Sequence, residues 1–412
     1  MPFRWRLLVG SRGFDAPVAT SFVGRGAYST FAPYAGARAS PRLGARYHHR
    51  VSRRVYLHIG APKTGTTYLQ DRLRLNARSL AGHGVHFPSR NLTVDAPMFH
   101  FRAALDLLGQ DWGGEPGHAT GNWDALLRRI RRLDGTIIVS HEILAPAHTV
   151  AIARAKASIA RTGAELHIVY SARDQARQIP AAWQESIKQG RSWSYRTFCK
   201  RITKRRSWFS RAFALPEVLT AWGDGLPPEQ VHVVTVPQQR GPELWERNCQ
   251  VFGIDPVWAP RESQALNASL GVAETAMLRR LNLQMDRAPR QEATFDALVR
   301  RMLAEETLVG RNSKPLLLPP QMQDWAEAEA ERWIEWIEGS GIDVVGDRED
   351  LRPLPRDPEA GWANPDKIGA KPQLKAAIEA LAAMTVEAGR REDPHDTLAA
   401  KVRSRVRGLR DD

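Results

Sequence analysis

The stretch that decides the fold is RVYLHIGAPKTGTTYLQ, residues 54–70. An apolar run predicts a buried strand over Val55–Ile59, the loop APKTG follows, and a helical pattern begins near Thr66. In this order the backbone N–H groups of the loop and of the helix start face one hollow, where the helix dipole adds positive charge. The segment therefore predicts an anion-binding loop after the first strand.

The same stretch differs from an ATP-binding loop at one position. Gly60, Gly65 and Thr67 match the pattern G-x-x-x-x-G-K-[ST], but Thr66 stands where that pattern has its lysine. The only lysine, Lys63, lies inside the loop, where it would not reach the β- and γ-phosphates of ATP in the usual way. The pattern favours a phosphate binder and disfavours an ATP site.

Working outward, short apolar runs alternate with helical patterns. Runs of four to six residues rich in Val and Ile predict further buried strands, at Thr136–Val139, Leu166–Tyr170 and Val231–Val236. Between and after the strands the patterns predict helices, at Thr66–Leu80, Trp123–Leu133, Val150–Arg161, Asp174–Lys188, Pro242–Phe252, Val272–Asp286, Phe295–Glu306 and Pro320–Glu338. Strands separated by helices form a mainly parallel sheet. We expect an α/β fold with an additional helical C-terminal region.

The loop also carries a family resemblance. APKTGTTYLQ resembles the 5′-phosphosulfate loop of sulfotransferases that use 3′-phosphoadenosine 5′-phosphosulfate (PAPS), above all bacterial sulfotransferase-domain proteins, and it is similar to the heparan-type enzymes. The resemblance runs over roughly residues 54–286. It implies a P-loop-like three-layer fold, PAPS as the sulfuryl donor and no required metal.

The resemblance also assigns roles to the loop residues. Lys63 would contact the oxygen that bridges phosphate and sulfate, and Thr64, Gly65, Thr66 and Thr67 would hold the 5′-phosphate. Tyr68 stands where some members carry an aromatic residue against adenine, although a plain core aromatic is an equal interpretation.

PAPS has a 3′-phosphate, so a second anion site is expected. The resemblance places it after the strand Leu166–Tyr170, where Arg173 has the forked guanidinium that suits phosphate. A surface arginine paired with Asp174 or Glu185 is the alternative. Family members often carry a serine eight residues later, but Ala181 occupies that position. Ser171 or Ser186 are possible substitutes, with Arg177 and Lys188 as added charge.

Sulfuryl transfer also requires a base for the acceptor proton. The strand Thr136–Val139 ends in Ser140-His141-Glu142, and the carboxyl ends of parallel strands face the ligand crevice. Glu142 and His141 are both candidates, and we favour Glu142; a strand-end residue that caps a helix is the alternative. His58, inside the first strand, is interpreted as a hydrogen-bonded core histidine.

The acceptor is not identified by the sequence: a small molecule, a glycan and a lipid all fit. Residues 183–211 interleave basic and aromatic side chains, so a nucleic-acid or anionic-glycan binder without catalysis is one alternative. No known nucleic-acid motif appears, which disfavours a nucleic-acid partner. A nucleotide-dependent kinase is a further alternative, disfavoured by the missing loop lysine.

Composition and charge distribution bear on the domain organisation and on the cellular setting. The net charge is +14, yet the first 54 residues hold ten arginines, one acid and no lysine, so most of the excess lies there. We expect residues 1–53 to be disordered or a targeting segment, 54–346 to form the main domain, and 347–412 to be a linker and a basic helix. Two cysteines and no long apolar run favour a reducing, cytoplasmic setting and no transmembrane helix.

Overall fold

The computed structural model describes residues 53–391, apart from positions 92, 113–114, 265–268, 287–292, 312, 357–358 and 360. Most of the predicted Arg-rich leader therefore lies outside the described residues. Arg53 is already part of the fold, because its guanidinium donates to the carbonyl oxygens of Leu133 (2.5 Å) and Thr162 (2.8 Å).

A six-stranded parallel sheet forms the centre of the molecule. Its strands, in chain order β1 to β6, are Arg54–Gly60, Val85–His86, Thr136–Ser140, Glu165–Ala172, Val231–Thr235 and Asp343–Val345. The spatial order is β2-β3-β1-β4-β5-β6, so β1 lies between β3 and β4. The prediction of an α/β fold with a mainly parallel sheet is confirmed.

Alternate residues of each strand pack on opposite faces of the sheet. In β1, Val55, Leu57 and Ile59 belong to one buried cluster, while Tyr56 belongs to another. Because the side chains of a strand point alternately to its two faces, a strand buried on both sides reads as a continuous apolar run. Helices cover both faces, which gives three layers.

Fourteen α-helices are found in the described part of the chain. Those of the first half, α1 to α7, are Thr66–Leu75, Ala77–Gly82, Ala96–Leu108, Asn122–Ile130, Thr149–Ala160, Gln175–Lys188 and Tyr195–Thr203. Those of the second half, α8 to α14, are Trp208–Phe213, Leu215–Gly223, Glu243–Phe252, Val272–Gln284, Ala293–Phe295, Gln323–Ser340 and Ala370–Arg390.

Several predicted boundaries were wrong. The helix predicted over Thr66–Leu80 is two helices, because Asn76 ends α1 with its side-chain amide on the carbonyl of Arg72 (2.8 Å). The helix predicted near Phe295–Glu306 is mostly a π-helix, Asp296–Thr307. The edge strands β2 and β6 were missed because two or three residues show no readable alternation.

The C-terminal region packs on the main core. Ala376 and Ala380 of α14 are buried in the same apolar cluster as the residues of β1. Whether the chain divides as predicted at residue 347 stays a prediction. Among the described helices, none is long and apolar enough to cross a membrane.

Candidate functional site

The loop between β1 and α1 adopts a backbone that few sequences tolerate. Gly65, which precedes the first helical residue, has φ +93°, and a Cβ there would lie 2.8 Å from a methyl carbon of Leu244. Lys63 has φ 67°, in the left-handed region that disfavours a side chain. The backbone conformation at position 65 therefore favours glycine, whereas the terminal methyl of Leu244 could move aside.

The amides of this loop lack acceptors. No backbone N–H from residue 63 to residue 68 donates to any group that the structure describes. A helix start leaves its first four N–H groups without helical partners, and the loop adds those of Lys63 and Thr64. Successive unpartnered donors before and within the first turn of a helix are groups of the kind that bind an oxyanion, and we call residues 63–68 the cradle.

The threonine hydroxyls are used inside the loop. The hydroxyls of Thr64 and Thr66 both donate to the carbonyl oxygen of Ala61, at 2.6 and 3.4 Å, and both residues are buried. Thr67 is exposed. An anion in the cradle would therefore meet the backbone amides of Thr64 and Thr66 rather than their hydroxyl protons.

Tyr68 is half-buried and packs beside the second apolar cluster, with its hydroxyl accepting from Arg72 (3.0 Å). This position is compatible with the core interpretation given above. The contact with adenine stays a prediction.

Lys63 is held by a carboxylate that the sequence analysis did not assign to it. Its Nζ lies 3.1 Å from Oε2 of Glu185, on α6, and the lysine side chain is 34% exposed. Gln178, seven residues before Glu185 on the same helix, donates to the carbonyl of Pro62 (2.8 Å). Two polar residues one heptad apart thus face the loop, and that spacing was the signal available in the sequence.

The surroundings of Glu185 are strongly cationic. Besides Lys63, Nε of Arg300 in the π-helix lies 3.8 Å from its other oxygen, and Lys188 is buried close by. Burial alone would raise the pKa of Glu185, but Lys63, Arg300 and Lys188 lower it to about 2. Glu185 is therefore ionised at neutral pH and opposes the charge of the loop lysine.

Arg173 lies directly against the loop. It follows β4, and its guanidinium donates to the carbonyl oxygen of Lys63 (3.0 Å). Its Nε is buried with no acceptor among the described residues. Burial, with a contribution from Arg177, lowers its pKa to about 10. The alternative pairing is not found, since Asp174 binds Arg177 and Glu185 binds Lys63.

The proposed substitutes for the missing serine are differently placed. Ser186 is completely buried, and its hydroxyl donates to the carbonyl of Trp183 within α6 (2.7 Å). Ser171 is bonded to the ring of His58 (3.0 Å). Lys188 is buried near Glu185, and Arg177 donates to the carbonyls that follow β5. Of these five side chains, only the guanidinium of Arg173 forms a hydrogen bond to the loop.

His58 is a buried residue of β1 that lies just before the loop. Its ring nitrogens are bonded to the hydroxyls of Ser140 (2.8 Å) and Ser171 (3.0 Å), at the ends of β3 and β4. Complete burial, together with the charge of His141, lowers its pKa to about 4. His58 is thus a neutral, hydrogen-bonded core residue, and it joins the three strands whose ends carry the site.

The two candidate bases follow β3. The Cα of Glu142 lies 3.5 Å from the position of a Cβ on Gly60, so this segment lies beside the start of the loop. Nδ1 of His141 accepts from the backbone N–H of Ile143 (3.3 Å), and its ring stacks on Phe101. A neutral imidazole that accepts at Nδ1 carries its proton on Nε2, so His141 has no free basic nitrogen. No backbone N–H of the described residues donates to the carboxylate of Glu142.

The aromatic residues of the 183–211 segment are engaged in packing. Trp183 is fully buried, Trp193 is contacted by the guanidinium groups of Arg191 (5.2 Å) and Arg201 (4.6 Å), and Trp208 packs on Trp112. Stacking of nucleic-acid bases requires open aromatic faces. This arrangement does not favour the nucleic-acid alternative.

Comparison with family models, with curated proteins and with solved structures finds no match to this chain. The functional interpretation therefore depends on the geometry of the site itself.

Proposed function

We propose that this protein is a sulfotransferase that moves a sulfuryl group from PAPS to a hydroxyl or amine of an acceptor. The observation that carries the proposal is the run of six unpartnered amides, residues 63–68, beside a lysine that lies inside the loop instead of at the ATP-binding position. Such a cradle suits a phosphosulfate, because the negatively charged phosphate oxygens would accept hydrogen bonds from the amides while Lys63 would lie near the sulfate.

The residues present fit the donor in two respects. The amides from Lys63 to Tyr68 would bind the 5′-phosphate, and the buried, unpartnered Nε of Arg173 is a donor suited to a second phosphate. PAPS would supply the sulfuryl group. Arg173 would also stabilise the loop itself, through its bond to the carbonyl of Lys63.

The chain's own residues then divide the chemistry. Glu142 would accept the proton of the acceptor hydroxyl or amine, because its backbone lies beside the start of the loop and its carboxylate has only Nδ1 of His141, 3.9 Å away, as a described ion-pair partner. Lys63 would leave Glu185 and stabilise the negative charge that develops on the phosphate oxygen when its bond to sulfur breaks. None of these roles requires a metal ion.

A titration tests the donor site. Adenosine 3′,5′-bisphosphate should bind the full chain in calorimetry and raise its melting temperature, since a ligand that binds only the folded state stabilises it. ATP with Mg²⁺ is the matched control and should bind much more weakly. Tighter binding of ATP than of the bisphosphate would favour the kinase alternative instead.

A further inference from the structure

A cleft separate from the loop collects four arginines. It is an open cleft of about 140 Å³ between α4 and the segment after β2. We call it the arginine cleft; it is lined by Ser89, Arg90, Phe99, Ala125, Arg128, Arg129 and Arg132. Its volume is smaller than that of drug-sized ligand sites, about 300–1,000 Å³, so it suits one anionic group of a larger ligand.

The charge of the arginine cleft is not neutralised by the residues that the structure describes. No acidic residue lines it, and none of its four arginines forms an ion pair with a described carboxylate. The nearest acid along the chain after Arg132, Asp134, is paired with Arg53 (2.9 Å). Like charges in one cleft repel each other, so an anion bound there would be stabilised.

One of the four arginines is anchored by a buried side chain. Arg90 donates to the side-chain oxygen of Asn122, which is 2% exposed. Asn122 in turn donates to the carbonyl of Ala119 (2.7 Å). The hydrogen bond restrains the long side chain of Arg90 at the cleft, so less conformational entropy is lost when a ligand binds.

Helix stabilisation accounts for only part of this arrangement. Arg128 and Arg129 lie in the last turn of α4, where positive charge interacts favourably with the helix dipole. Arg90 and Arg132 lie outside that helix, yet they line the same cleft. Arginines from two chain segments therefore line one cleft.

We propose that the arginine cleft binds a sulfate ester of a saccharide. Guanidinium groups donate two parallel hydrogen bonds to a tetrahedral oxyanion, and four of them suit a group of high negative charge. Phe99 is the only aromatic residue lining the cleft and is 1% exposed, so the cleft offers no open ring for a nucleic-acid base. The choice of a sulfated saccharide rests on the proposed function, whereas the oxyanion site itself does not.

Two elements, β2 and α3, place the arginine cleft relative to the loop. Ser89 and Arg90 follow β2, which pairs with the first two residues of β3. Arg132 is adjacent to Leu133, whose carbonyl oxygen binds Arg53 just before β1, so this part of the cleft lies toward the amino ends of the strands. Helix α3 contributes Phe99 to the cleft and, two residues later, Phe101 to the stack on His141. Two residues apart on a helix point to roughly opposite sides, so the cleft and the stack on His141 lie on different sides of α3.

Calorimetry on the full chain tests this site with a heparin-derived hexasaccharide. The probe should bind, its desulfated counterpart should not, and R128Q/R129Q/R132Q should weaken binding by at least about tenfold, as expected for the loss of three charge-assisted contacts. The matched control, R131Q/R161Q/R280Q, removes the same charge from exposed positions outside the cleft and should change affinity less than about twofold. Circular dichroism and melting temperature check that both variants fold.

Each contrary result overturns the proposal. Equal weakening in both triple variants would show general charge attraction, and tighter binding of a thymidine oligonucleotide of equal charge would assign the cleft to nucleic acid. Absence of hexasaccharide binding would remove the site. Failure of the proposed function is distinguishable, because the bisphosphate would then not bind while the hexasaccharide would still bind through the three arginines.

Discussion

The loop after β1 and the arginine cleft both present positive charge, but they differ in what opposes it. In the loop one lysine is paired with Glu185, and the remaining attraction comes from backbone amides fixed by the fold. In the cleft four guanidinium groups converge with no acid among the lining residues. The loop is thus preorganised with its lysine paired, while the arginines of the cleft have no ion-pair partner among the described residues and are open to solvent.

This difference separates two ways of binding an anion. Fixed amides need no rearrangement when charge develops nearby, which is the property that transition-state stabilisation requires. Long arginine side chains adapt to a ligand, which suits recognition of a varied, multiply charged partner. The loop is accordingly the place that we propose for chemistry, and the cleft the place that we propose for binding a sulfated saccharide.

The largest expected effect concerns Lys63. K63A should lower the sulfotransfer rate by about 10²-fold or more, the scale seen when a preorganised charge-stabilising group is removed. Turnover with radiolabelled PAPS measures it, and the exposed lysine variant K367A should retain full activity. Retained turnover in K63A would remove the loop lysine from the mechanism and with it the contrast between loop and cleft.

The next effect distinguishes the two candidate bases. E142Q should reduce kcat by about 10²-fold, the scale of a general base, because an amide cannot accept the acceptor proton. H141Q should reduce kcat far less, since Nδ1 of His141 is already occupied by the N–H of Ile143. The pH dependence of kcat for both variants completes the measurement. The reverse order of effects would exchange their roles.

Acid should affect the loop region before the cleft. The folded-state pKa of His58 is about 4 and its ordinary value is 6.5, so the unfolded chain binds more protons between these values. His58 therefore lowers the free energy of unfolding by about 1.4 kcal/mol per unit as pH falls from 6.5 towards 4, and no further below. Buried His100, whose pKa burial lowers to about 3, acts in the same direction.

Urea denaturation at pH 7, 6 and 5 measures this loss. Arginine side chains stay charged in this range, so hexasaccharide binding at pH 6 should match that at pH 7. A free energy of unfolding that is constant from pH 7 to pH 5 would contradict the neutral, buried state of His58.

The smallest expected effect sharpens the role of Glu185. E185Q should tighten bisphosphate binding by about threefold, because a partly exposed ion pair that competes for Lys63 is removed. In the K63A background the same substitution should change nothing. An equal gain in both backgrounds would mean that Glu185 acts through Arg300 or Lys188 instead, so calorimetry on the four variants decides the matter.

Much of the fold was readable from the chain. The apolar runs of β1, β3, β4 and β5 and the glycine spacing of residues 60–65 depend on neighbours in sequence, and these strands and this loop occur where predicted. The π-helix and the two short edge strands were not readable, because each depends on packing from outside the segment. The break at Asn76 was not readable either, because its side chain binds Arg261 in addition to the carbonyl of Arg72. Arg173 was expected to bind a second phosphate, which stays a prediction, and its bond to the carbonyl of Lys63 was not expected.

By itself the sequence determined the order of strands and helices and the conformation of the loop, since these follow from local periodicity and from the few residues that accept a left-handed backbone. Tertiary structure alone decided which distant groups meet. Glu185 reaches Lys63 across 122 positions, and Arg90 joins the arginines of α4. Such contacts depend on how helices pack against the sheet, and a pattern with a period of two or 3.6 residues carries no information about that packing.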